Sequence, residues 1–200
     1  LKISSGDLTN GPLLLAHART GLDIILSTGM SKISEIENAI KIISVGYYNY
    51  YTKKNIDLSS PRSIDQIYKK KDIKKILKTK ITILHCVTEY PAPIKELNLR
   101  AITHLKNKFE LNVGYSDHST DLSAPSIAVS LGAKIIEKHF TINKLMHGPD
   151  HKASLNPKEL SLMIKNIRNT EAMLGSGIKQ VMPSEKKNKK IARKSLIASF

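Results

Sequence analysis

Two histidines, His118 and His139, each close a short apolar run, Val113-Gly-Tyr-Ser-Asp-His118 and Ile135-Ile-Glu-Lys-His-Phe140, and lie 21 residues apart. Between them, residues 122–131 carry a helical pattern that stops at Gly132, so the whole reads as strand–helix–strand. In a parallel sheet the carboxyl ends of successive strands share one rim, which is where ligands bind. Both imidazoles therefore face one mouth. Side chains alternate along a strand, so Glu137 shares a face with His139, Ser116 shares one with His118, and Lys138 points the other way. Two imidazoles, a carboxylate and a hydroxyl at one rim can hold a divalent metal with positions left open. Two histidines are a thin ligand set, and polar residues that merely end strands fit the spacing as well.

The elements that must position them follow from periodicity and punctuation. A strand at 1–5 leads through Gly6-Asp7 to a turn, and Asn10 with Pro12 starts a helix over 13–19. A buried strand at 23–28 breaks at Gly29. Ser34 and Glu37 stand at capping-box spacing, and Ile33, Ile36, Ile40 and Ile43 mark a helical face as far as Gly46. Residues 46–62, with Tyr47, Tyr48, Tyr50, Tyr51 and Pro61, read as an excursion, followed by one basic amphipathic helix over 64–77. The tyrosines are expected to pack this segment down rather than stack on a ligand.

The strand 81–86 runs into a loop stiffened by Pro91 and Pro93, and a helix covers 97–109. Beyond the histidines, Asn156-Pro157 with Glu159 starts a helix that Gly175 closes; a last helix at 185–194 precedes an apolar run at 196–200. Five strands alternating with helices give a parallel α/β fold. A doubly wound sheet and a barrel short of strands fit equally, because a closed eight-stranded barrel takes about 250 residues.

With 200 residues, 40% of them hydrophobic, the chain can bury one sizeable core. Its single cysteine, Cys86, excludes an internal disulfide framework and suits a reducing, cytoplasmic setting. No run reaches the ~20 apolar residues of a membrane span. The net charge of +15 raises nucleic-acid binding. The excess is local, however: residues 53–80 hold ten Lys/Arg against three Asp, and 186–194 hold six with no acid. Neither segment carries a nucleic-acid motif, so a solvated lysine-rich surface is the expectation, without nucleic-acid or membrane partners.

Seven segments occur in order: Ser5-Gly-Asp7, Leu26-Ser-Thr-Gly-Met30, Leu84-His-Cys-Val-Thr-Glu-Tyr-Pro-Ala-Pro93, Gly114-Tyr-Ser-Asp-His118, Glu137-Lys-His-Phe140, Gly148-Pro-Asp-His-Lys-Ala-Ser-Leu155 and Ile191-Ala-Arg-Lys-Ser-Leu196. Together they resemble the N-acetylneuraminate (sialic acid) synthase family over nearly the whole chain. The resemblance implies a (β/α)8 TIM-type barrel, of which the chain holds the C-terminal five units, strands four to eight. It implies a partial barrel domain over 1–182 with a basic insertion at 46–80. Residues 183–200 would begin a linker to an absent C-terminal antifreeze-like domain. Cytoplasmic homodimers are implied for the complete protein.

The implied reaction condenses phosphoenolpyruvate with N-acetylmannosamine or a related N-acylated amino sugar, with Mn2+ or Mg2+ as cofactor. His118 and His139 match the metal ligands, and Glu137 matches an acid/base carboxylate beside them. Lys2, Ser5, Ser27 and Ser116 match phosphate-binding positions, and Tyr90 and Asp150 match sugar contacts. Asp7 and Thr88 stand where relatives carry glutamate and asparagine, so their reach differs. Alternatives are a 2,4-diacetamido sugar giving legionaminic acid, and an inactive truncated fragment. Cys86 and His85 are expected to be structural, His17 and His104 to lie on helix surfaces, and His147 and His151 to flank the Gly148-Pro149-Asp150 turn without acting as ligands.

Overall fold

A computed structural model describes residues 1–194 and shows five parallel strands in one sheet, in sequence order. β1 is Lys2–Ile3, β2 Ile24–Ser27, β3 Ile81–His85, β4 Asn112–Asp117 and β5 Ile136–Lys138. Helices α1 (Gly11–Ala18) and α2 (Ile33–Thr52) are followed by α3 (Pro61–Tyr68), α4 (Lys71–Lys80), α5 (Ala101–Phe109), α6 (Ala124–Ser130), α7 (Pro157–Leu174) and α8 (Glu185–Ala192). The expected run at 196–200 lies outside the described residues.

Parallel neighbours need crossovers, and the helices supply them. Ile3, Ile24, Leu26, Ile81, Ile83, Val113 and Tyr115 form the buried strand side of a core completed by Leu14, Ile40, Ile43 and Ile102 from the helices. A smaller cluster of Leu155, Met163 and Ile167 seats α7 beside β5.

The sheet curls. β1 and β5 are opposite edges of the sheet, yet Lys2 Nζ lies 3.4 Å from Glu137 Oε2 across the concave side. A flat five-stranded sheet would hold its edges about 19 Å apart, given the ~4.8 Å strand spacing. The half-turn of a barrel is therefore built into these five units.

Several helix boundaries differ from the sequence reading. Asn10 and Asn156 cap as expected, Asn10 Oδ1 accepting from the Leu13 N–H at 3.2 Å and Asn156 Oδ1 from the Glu159 N–H at 3.0 Å. The Ser34–Glu37 box does not form; α2 starts at Ile33, and Glu35 accepts from the Lys32 N–H at 2.7 Å. Nor does Gly46 end that helix, which continues to Thr52. A Cβ on Gly46 would lie 2.4 Å from the Ala18 Cβ and 2.9 Å from the Leu15 carbonyl, so glycine serves the crossing of α1 and α2.

Tyr47 consequently belongs to the core, its hydroxyl donating to the Leu22 carbonyl at 2.8 Å, and the excursion begins only after residue 52. The single helix expected over 64–77 is two, α3 and α4, broken at Lys69 and Lys70. Tyr68 and Tyr48 carry the ammonium groups of Lys74 and Lys70 over their rings at 3.2 and 5.8 Å, in keeping with a packing role. The helix expected from 97 begins at Ala101, after a short turn at Ile94–Glu96. Among the described residues, no helix is long and apolar enough to cross a membrane.

Candidate active site

Register decides which side chains meet. Ser116 pairs with Glu137, and Asp117 with Lys138, on β4 and β5. Alternation then places Lys2, Ser27, Cys86, Ser116, His118, Glu137 and His139 toward the concave side, with Asp117 and Lys138 toward the helices. The alternation read from the sequence is thus realised: Ser116 Oγ donates to Glu137 Oε1 at 2.7 Å, while Lys138 Nζ reaches Asp117 Oδ2 on the other side at 2.7 Å.

His118 and His139 stand edge to face with ring centroids 5.5 Å apart. His118 Nδ1 lies 2.6 Å from the Val87 carbonyl oxygen. A carbonyl can only accept, so Nδ1 carries the proton and Nε2 presents its lone pair to the concavity. Tyr90 Oη and Ser116 Oγ lie 3.2 and 3.3 Å from that nitrogen. The single Ser116 proton is committed to Glu137, so the Tyr90 hydroxyl is the donor to Nε2. The Tyr90 ring stacks on His118 at 4.2 Å and tilts toward His139 at 5.3 Å. Burial holds the His118 imidazole below its ordinary pKa range, against the opposing pull of the Val87 carbonyl. Burial thus favours the neutral form of the ring.

The other residues singled out lie in four places. Asp150 joins the histidines, its Oδ2 lying 3.5 Å from His139 Nδ1. Ser5 and Thr88 meet at the rim, their hydroxyl oxygens 3.5 Å apart. Gly29 lies between them with φ +40°, where a Cβ would stand 2.4 Å from the Ser5 Cβ and 2.5 Å from Thr88 Oγ1. Ser27, 3% exposed, has an Oγ with no hydrogen-bond partner among the described residues. Asp7 is the outlier: its carboxylate accepts from Ser4 Oγ at 2.6 Å within the 5–7 turn, and none of its bonds reaches the histidines.

Among the described residues, no group of three or more His, Cys, Asp or Glu side chains is arranged to hold a metal ion. Of the donors in the mouth, the His118 and His139 imidazoles, with centroids 5.5 Å apart, are the pair that a divalent ion could share. A neutral His118 with its outer nitrogen fixed on a carbonyl is the usual state of a ligating histidine.

Cys86 and His85 are structural, as expected. Cys86 Sγ accepts from the Gly29 N–H at 3.0 Å, and burial pushes its thiol up. His85 Nε2–H donates to the Leu97 carbonyl at 2.8 Å, and its ring stacks near Tyr115. His104 is exposed and His17 half-buried, its Nδ1–H donating to the Leu13 carbonyl. His151 binds Thr141 Oγ1 at 2.7 Å and so shapes the loop over the mouth. The Val87 carbonyl escaped the sequence reading, because a backbone acceptor leaves no mark on residue type.

A curled parallel sheet with paired helices, and with its polar cluster at the strand carboxyl ends, defines an α/β half-barrel of the TIM type. Residues 1–179 match the NeuB family, and the chain belongs to that family. It is 44% identical over 197 residues to the N,N'-diacetyllegionaminic acid synthase of Campylobacter jejuni, covering 98% of this chain and 51% of that protein. To human N-acetylneuraminate-9-phosphate synthase it is 30% identical over 198 residues, covering 98% of this chain and 46% of the relative. The crystal structure of a sialic acid synthetase from Leptospira borgpetersenii in complex with citrate superimposes with a TM-score of 0.73 at 35% identity, over 96% of this chain and 56% of that one. The chain therefore spans about half the length of these relatives.

Proposed function

We propose that this chain forms the site-bearing part of a nonulosonic acid synthase, which joins phosphoenolpyruvate to an N-acylated amino sugar and releases phosphate. Its five units are read as strands four to eight of an eight-stranded barrel. The observation that carries the reading is the His118–His139 pair, with a fixed His118 tautomer, beside Glu137 and the partnerless Ser27 hydroxyl on one concave face.

His118 and His139 would hold the divalent cation, Mn2+ or Mg2+, which when bound supplies Lewis acidity toward the sugar aldehyde. Lys2 and Ser27 supply an ammonium and a hydroxyl donor suited to a phosphate, with Ser5 and Thr88 at its rim and Ser116, whose proton goes to Glu137, beside it. Tyr90 and Asp150 orient the sugar. Carbon 3 of phosphoenolpyruvate bonds to the aldehyde carbon and the new alkoxide takes up a proton; water adds at carbon 2 and gives up its proton. Phosphate then leaves by carbon–oxygen cleavage and takes the proton of the carbon-2 hydroxyl, whose oxygen becomes the carbonyl of the 2-keto acid. Glu137, bonded to Ser116 and 3.4 Å from Lys2, is placed to move those protons.

N-acetylmannosamine is one candidate acceptor, and the 44% identity to a legionaminic acid synthase supports a 2,4-diacetamido sugar as the other. The test is turnover by the full-length protein with Mn2+, phosphoenolpyruvate and each sugar in turn. Wild-type protein should release phosphate with one of them, and His118→Ala and His139→Ala should not. Wild-type rates in either variant would overturn the assignment.

A further inference from the structure

The ladder between β4 and β5 covers three positions, Tyr115↔Ile136, Ser116↔Glu137 and Asp117↔Lys138, and stops there. His118 and His139 are the next residue on each strand, so no rung of the ladder holds them side by side. What spans that gap lies on the opposite face. Lys138 Nζ donates to Asp117 Oδ2 at 2.7 Å and to the Ser119 carbonyl oxygen. Asp117 and Ser119 are the two chain neighbours of His118, and Lys138 is the chain neighbour of His139. Asp117 Oδ1 also accepts from the Ser119 N–H at 2.9 Å and from the Tyr115 hydroxyl at 3.1 Å. The Lys138 and Asp117 side chains are 3% and 0% exposed.

A buried ion pair is a poor device for stability alone, because apolar residues of similar volume hold a fold as well or better. Its distinguishing property is direction: Lys138 is held at one place by two acceptors that straddle His118. Rigid spacing of two ligands is what a two-histidine site needs, since it lacks further protein ligands to fix the geometry.

We propose that Asp117 and Lys138 are positioning residues, an ionic clamp behind the sheet that sets the separation of the His118 and His139 imidazoles. The consequence for metal binding rests on the function proposed above; the effect on imidazole spacing does not.

The test uses the full-length protein carrying Asp117→Asn together with Lys138→Met, which removes both charges and keeps an acceptor for Ser119 and Tyr115. Expected are a Tm close to wild type, Mn2+ binding by calorimetry weaker by about 10–100-fold, and a crystal structure in which the imidazoles have left their wild-type spacing. Should that variant not fold, Lys138→Met alone opens the clamp and leaves the Asp117 carboxylate with the Ser119 N–H and the Tyr115 hydroxyl as donors. The same loss of Mn2+ affinity and spacing is expected there.

A folded variant with wild-type Mn2+ affinity and wild-type imidazole spacing overturns the proposal. Mn2+ affinity in His118→Ala separates the two readings. If that substitution leaves it unchanged, the metal assignment falls, and the clamp is judged on imidazole spacing alone.

Discussion

The two faces of the sheet are built from alternate residues of the same strands, yet they treat polar groups in opposite ways. On the convex face, Ile3, Ile24, Leu26, Ile83, Val113 and Tyr115 are at most 1% exposed, and the charged residues there, Asp117 and Lys138, are each other's partners. The sheet's own polar side chains on that side spend their hydrogen-bonding capacity on one another and on Ser119, although behind them in α6 the buried Ser126 hydroxyl has no partner among the described residues. On the concave face the Ser27 hydroxyl has no partner, His118 presents a lone pair that only the Tyr90 hydroxyl satisfies, and Lys2 meets Glu137 at 3.4 Å with both side chains over a third exposed. Buried polar groups are normally satisfied, so the Ser27 hydroxyl is a group that a molecule bound on the concave face could engage. Saturation, rather than polarity, separates the structural face from the chemical one.

That contrast is broken most directly by His118→Ala. Beyond the expected loss of metal-dependent turnover, it should leave the Tm within about 5 °C of wild type, because the concave face does not hold the fold. A collapse of stability would mean that the two faces are not separable. The mirror experiment is Ile83→Ala on the convex face, expected to cost about 2–5 kcal/mol, or roughly 5–15 °C in Tm, with unchanged turnover per folded molecule. Denaturant unfolding paired with active-site titration reads both quantities.

Gly46→Ala probes the helix layer that covers the convex face. Prising α1 from α2 should cost about 1–3 kcal/mol in chemical denaturation, with no change in substrate KM. Ser27→Ala asks the reverse question. Removing a partnerless hydroxyl should leave stability unchanged or slightly raised, while the KM for phosphoenolpyruvate rises roughly tenfold, as for loss of a hydrogen bond to a charged group. An unaltered KM would remove Ser27 from the proposed phosphate site.

The smallest effect concerns pH. Burial lowers the His85 pKa below its ordinary value of 6.5, against the raising effect of the Leu97 carbonyl. The unfolded chain keeps the ordinary value, so it takes up a proton first as pH falls. Stability from this group is therefore complete above about pH 6.5 and is lost as pH drops toward the folded-state pKa. Thermal melts at about pH 7.5 and 5.5 should show a lower Tm in acid. The drop should be smaller in His85→Gln, which keeps a donor for Leu97 but does not titrate; an equal drop would acquit His85.

Much of the site was legible because strand alternation is a local rule. Ser116 beside His118, Glu137 beside His139 and Lys138 turned away all follow from a period of two, whatever the rest of the chain does. The caps at Asn10 and Asn156 are equally local. Gly46 misled the reading for the opposite reason. Glycine is a helix stop when the chain is considered alone, and a packing notch when another helix crosses within van der Waals contact. The tertiary contact with Ala18 overrode the local signal, and the break between α3 and α4 likewise interrupts a continuous apolar periodicity.

By itself, then, the sequence determined the order of strands and helices, the face on which each strand residue lies, and the family to which the chain belongs. Only the tertiary structure decided the curl that brings Lys2 from one edge to Glu137 on the other, the carbonyl that fixes the His118 tautomer, and the pairing of Asp117 with Lys138 behind the histidines. The physical reason is range. Periodicity and capping act over a few residues, whereas these three contacts join positions 135, 31 and 21 residues apart, and two of them use geometry that no residue type records.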